Sequence, residues 1–235
     1  MATKLIPALL ASTLISTAFL GGCAQTTVDT SAVAPERGDS GFMVARNSRA
    51  DELYLNPKSA KRSGAFRKIF IAPVNDTNIQ IIHPEGVGSK DNWHISDKEK
   101  GMLHKAAVEE FSWALAHESA FNIVSSRDDA DMVVHTTIVA IHPNASKARV
   151  DAGAKPGGAI TVSLALINAA TGEVMVRSID TKSTDNIWAF NNLENPGPAV
   201  NLIFKSWGNS MRRGILHLQG RSVDPTMEAL LLQTQ

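Results

Sequence analysis

The stretch "AITVSLALINAATGEVMVRSIDTKS", Ala159 to Ser183, decides the fold. Ile160, Val162, Leu164 and Leu166 alternate with Thr161, Ser163 and Ala165, the period-two pattern of a strand with one buried face. "NAATGE" interrupts it with turn residues, and Gly172 suits a positive φ. "EVMVRSIDTKS" runs back as the partner strand, so the segment reads as an antiparallel hairpin.

Working upstream, "RKIFIAPV" (Arg67 to Val74) is a short apolar run ending at Pro73, an interior strand by its length and its Ile and Phe content. "FNIVSS" from Phe121 and the longer run Met132 to Ile141, stopped by Pro143, read as two more strands. "NIQIIH", inside the long loop Asn75 to Ile95, reads as a short extra strand. Gly41 to Ser63 is a poorly periodic lead-in, and the Ala-, Gly-, Lys- and Pro-rich segment Asn144 to Gly158 reads as a mobile arm.

Two helices stand out. Ser96 and Glu99 have the spacing of a capping box. Leu103, Ala107, Phe111, Ala114 and Leu115 follow along one helical face, with an end near His117 to Ser119. The last helix places Pro198 in its first turn and runs Val200, Phe204, Trp207, Met211, Ile215 and Leu218 as its apolar stripe, with Arg212 and Arg213 facing away and Gly220 as terminator. Trp113 and Trp207 fall on helices as core or near-core residues. The element order predicts an α+β two-layer sandwich, a mixed, mainly antiparallel sheet with two helices packed on one face.

The chain has 235 residues and equal numbers of basic and acidic groups, 23 of each. That balance gives no sign of a nucleic-acid partner. Its one cysteine, Cys23, cannot form an intramolecular disulfide. Lys4 followed by the apolar run Leu5 to Leu20 has the form of a cleaved export signal, and the run is short and polar for a membrane span. It ends in Leu20-Gly21-Gly22-Cys23, which resembles the lipobox of bacterial lipoproteins. Against an ordinary signal peptide with a chance cysteine stand the apolar run, the small residues, the solitary thiol and the polar linker that follows.

The resemblance implies acyl chains on Cys23, each adding about 0.8 kcal/mol of membrane affinity per buried methylene. Ala24 stands where many inner-membrane lipoproteins carry Asp, so the resemblance points to the outer membrane, periplasmic side. The expected organisation is a signal peptide over residues 1–22, a lipidated cysteine and flexible tether over 23–40, one domain over 41–220 and a tail over 221–235.

The lipobox, "SGFM", "YLNP", "KIFIAPV", "NAATGEV" and "FKSWG" together resemble a family of bacterial outer-membrane lipoproteins catalogued only as a domain of unknown function, over roughly Gly41 to Gly220. The element order is also similar, more distantly, to small α/β modules of periplasmic assembly factors. Those include the N-terminal domain of the Tol translocation protein, the curli-secretion lipoprotein and the lipoprotein activators of peptidoglycan synthases, modules that work by binding other proteins.

No catalytic signature accompanies these motifs. "GNSMR" at Gly208 lacks the second glycine of a nucleophile elbow and sits inside a helical pattern. His117-Glu118 begins like a zinc-binding His-Glu-x-x-His, but Phe121 occupies the second histidine's position. "EGVGSK" at Glu85 lacks the phosphate-loop spacing. Arg127, Asp128, Asp129 and Asp131 read as a solvated turn, His104 as a helix-surface group and His135 as a structural histidine. No catalytic residue, metal site or cofactor is therefore expected.

The loop aromatics Trp93, Trp188 and Phe190 are the candidate contact residues, because aromatics bring large contact area at small entropic cost. Capping of the sheet or of a helix start explains them equally well. The expected function is a non-enzymatic protein-interaction or envelope-assembly module. Its partners would be the membrane, through Cys23, and an envelope protein. The alternatives are a ligand-binding or hydrolytic domain for cell-wall or lipid material, built on His83, Asp91 and His94, and a purely structural envelope protein.

Overall fold

The structure, a computed structural model, describes residues 28–34, 41–45, 48–83, 94–187 and 198–221. The hairpin is its centre. β7 (Gly158–Asn168) pairs antiparallel with β8 (Val174–Thr184) and with β6 (Met132–Pro143). Gly172 closes the β7–β8 turn at φ 73°, a conformation that costs glycine nothing.

Register assigns the two faces. Val134, Leu166 and Val176 share one row, as do Ile138, Val162 and Asp180. The opposite face carries the row His135, Ala165, Arg177 and Tyr54, the last from β2 (Glu52–Leu55). A bulge between Ile138 and Ala140 inserts Val139, and beyond it Ile141 pairs with Ile160, both in the core.

β3 (Lys68–Ile71) lies parallel to β6 and to β5 (Asn122–Val124), while β1 (Met43–Val44) extends the other edge through β2. The described strands form one eight-stranded sheet in the order β1-β2-β8-β7-β6-β3-β5, with β4 (Gln80–Ile81) parallel to the far end of β6. The architecture is the expected α+β two-layer sandwich with a mainly antiparallel sheet.

α2 (Asp97–Ala116) joins β4 to β5, and α4 (Pro198–Leu218) follows β8. The capping box forms as the sequence indicates: Glu99 N donates to Ser96 Oγ at 3.3 Å, and Ser96 N donates to Glu99 Oε2 at 2.7 Å. Leu103, Ala107, Phe111 and Leu115 of α2 and Val200, Phe204, Trp207 and Ile215 of α4 enter one core with the sheet. Phe111 meets Phe204 edge-on with ring centroids 5.9 Å apart. The helices approach closely at Gly208, where a Cβ would stand 2.7 Å from Ala114 Cβ.

Four readings of the sequence change. The lead-in before Ser63 contains β1, β2 and the short helix α1 (Pro57–Ala60), capped by Asn56. All four residues of β2 are half-buried, so no alternation betrays the strand. The segment read as a mobile arm is folded: α3 (Lys147–Asp151) is capped by Ser146, Ala145 is buried, and Asn144 N donates to Gly157 O at 2.9 Å. Arg212 does not face away. It is 1 % exposed and reaches Glu118 Oε2 at 3.2 Å. Trp113 is 45 % exposed rather than core, because it sits two residues, about 200°, around α2 from the buried Phe111.

Candidate functional site

The sheet face away from α2 and α4 carries Ala140, Thr161, Ser163, Ala165 and Ile179, all buried. Residues 28–34, from the segment read as tether, lie across it. Asp29 N donates to Gln80 Oε1 at 3.2 Å, and Gln80 Nε2 donates to Asp29 O at 2.6 Å. Three strands away, Arg177 Nη1 donates to Val33 O at 2.7 Å. Between these points the chain turns, with Val33 N and Ala34 N both donating to Thr30 O. Ser31 N donates to Asp29 Oδ1 at 2.9 Å, and its side-chain and backbone hydrogen bonds hold the Asp29 carboxyl below the usual range.

Burial depresses the Arg177 guanidinium. Burial first, and the Arg177 charge second, depress His135. Further along this face Thr161 Oγ1 lies 3.0 Å from Thr181 Oγ1 and 3.4 Å from His142 Nε2, and burial also depresses His142. Thr161 is 2 % exposed, so its hydroxyl serves the sheet rather than a substrate. The face holds residues 28–34 through the Gln80 and Arg177 hydrogen bonds.

The second feature is the end of the molecule where the long helices begin. Lys205 Nζ lies 4.3 Å from the Trp113 ring centroid and Arg212 pairs with Glu118, so α2 and α4 advance in step and run parallel. Their N-termini therefore lie at one end. Trp93, Trp188, Phe190 and Asp91 precede these helices and lie outside the described residues, as does Cys23. His83 is described, with its Nδ1 buried and without a hydrogen-bond partner among the described residues, and His94 is exposed.

Sequence reasoning missed one exposed aromatic. Trp113 stacks on His117 at 5.1 Å between centroids and receives the Lys205 cation on its ring. Its spacing from Phe111 was the signal. His104 pairs with Asp76 at 3.2 Å. Ser210 of "GNSMR" accepts from Arg213 Nη2 at 3.3 Å inside α4, the wrong setting for a strained nucleophile turn. Among the described residues no three His, Cys, Asp or Glu groups gather to hold a metal, and no helix is long and apolar enough to cross a membrane.

These features define a two-layer α+β domain whose sheet face away from α2 and α4 is crossed by residues 28–34. Residues 41–211 match the family described as "Protein of unknown function (DUF3313)". The chain belongs to that family, over nearly the span its motifs indicate. Among solved structures it is similar to the PelC dodecamer from Paraburkholderia phytofirmans, at 7 % identity over 62 % of this chain and 88 % of that one, with a TM-score of 0.37. Protein XCC0632 from Xanthomonas campestris is similar at 8 % identity over 66 % and 86 %, TM-score 0.39. Lipoprotein GNA1162 from Neisseria meningitidis is similar at 12 % identity over 62 % and 97 %, TM-score 0.31. No curated protein matches the chain.

Proposed function

We propose that this chain is a lipoprotein of the bacterial envelope, held on the periplasmic side of the outer membrane by acyl chains on Cys23, whose domain binds a protein partner and performs no catalysis. Residues 1–22 are its export signal, 41–220 its single domain and 221–235 a tail. The lipobox supports the anchor. The observation that supports the binding role is the parallel course of α2 and α4, which sets the starts of both helices at one end of the molecule, with Trp93, Trp188 and Phe190 preceding those starts in sequence. Segments that connect the elements of a rigid scaffold are favoured recognition surfaces.

The test is crosslinking of the native protein in cells, followed by mass spectrometry of its neighbours. Trp93→Ala with Trp188→Ala should deplete the captured partner while the melting temperature stays within a degree or two. A large fall in melting temperature would make both residues packing elements. A second reading, a site for cell-wall or lipid material, is favoured by His83 Nδ1, buried and without a hydrogen-bond partner among the described residues. Retention of such material by the purified domain, lost in His83→Ala, would favour it.

A further inference from the structure

Resting on the anchor reading above, we propose that residues 28–34 are a docked strap that shortens the leash between lipid and domain. As a free tether, the chain from Cys23 to Gly41 would span up to about 60 Å. With Val28 to Ala34 held on the sheet, only five peptide steps separate Cys23 from the folded body, a reach of at most about 18 Å.

Three observations converge. The strap is fastened at both ends, by Gln80 and by Arg177, which stand on opposite sides of β6 and β7. It is folded within itself, since Thr30 O takes two backbone amides and Asp29 takes that of Ser31. The face beneath it includes the small buried side chains Ala140, Thr161, Ser163 and Ala165 beside the larger Ile179 and Arg177, and the small ones let a chain lie close to the strands. The docked strap sets the height of the domain above the bilayer, and thereby how far its contact loops reach into the aqueous space.

The experiment compares two insertions in the full lipidated protein on supported bilayers, with domain height read by neutron reflectometry. A ten-residue Gly-Ser insert after Gln25 lengthens the leash before the strap. The same insert after Glu36 lengthens the chain behind it. A docked strap requires the first to raise the domain by about 10 Å, from flexible-chain scaling, and the second to leave its height unchanged. Equal rises from both inserts would overturn the strap. Failure of the protein to stay on the bilayer would remove the anchor, and the leash with it. Docking itself stays separately readable by hydrogen exchange. Protection of the Val33 and Ala34 amides should fall in Arg177→Ala and Gln80→Ala, and protection unchanged in both variants would contradict docking.

Discussion

Trp207 Nε1 donates a 2.8 Å hydrogen bond to Asp180 Oδ2, both residues buried, and so joins α4 to β8 inside the sandwich. The carboxylate also accepts from Asp51 N at 3.2 Å and has Lys182 Nζ at 3.8 Å. Burial nevertheless pushes its pKa above the usual carboxylate range, against the Trp207 bond and the Lys182 charge.

Trp207→Phe removes the donor and leaves the acid in place, which should cost about 1–3 kcal/mol. An acid with a raised folded pKa holds its proton more tightly when folded, so the contribution of Asp180 to stability declines as pH rises from 3.8 to its folded pKa and is level above it. The variant should extend that decline to higher pH. Urea unfolding across a pH series reads both effects, and superimposable curves would refute them.

Gly208 and Gly214 share a helix and differ in surroundings. A Cβ at Gly208 would collide with Ala114 at 2.7 Å and press Phe111 at 3.2 Å, whereas nothing lies within 4 Å at Gly214. Gly214→Ala should stabilise by about 1 kcal/mol through helix propensity, and Gly208→Ala should destabilise despite the same propensity gain. Thermal melts of the pair decide it.

Arg212 is buried with Nε and Nη2 lacking partners among the described residues, its salt bridge being to Glu118, whose side chain is 36 % exposed. Arg212→Met should be neutral or stabilising, since an apolar replacement of a buried ion avoids its desolvation. Glu118→Ala, which strands the guanidinium, should cost about 1–2 kcal/mol, less than a fully buried pair because solvent screens Glu118. Denaturant midpoints should move in these opposite senses.

His135 and His142 are both depressed below 6.5, chiefly by burial. The unfolded chain therefore binds protons first, and stability should fall as pH drops from 6.5 toward the lower folded values. His135→Gln with His142→Gln should flatten that limb of the stability profile. An unchanged slope would contradict the assignment.

The hairpin, the capping box and the apolar stripes were legible because each is a local pattern of one element. Arg212 was not, because its burial depends on Glu118 across the helix pair, 94 positions away in the chain. The strap left no periodic trace either. Its polar residues are held by Gln80 and Arg177, 51 and 144 positions from their partners, and only the folded sheet brings those side chains together. The family motifs marked the domain, which the family match over residues 41–211 bears out, whereas Trp93, Trp188 and Phe190 lie outside the described residues.

The most direct test of the account is intact-mass analysis of the mature protein extracted from the membrane fraction. The account predicts a chain beginning at Cys23 and carrying the added mass of its acyl chains. A mature product with an unmodified thiol at Cys23, or an uncleaved precursor in the cytosol, would contradict it.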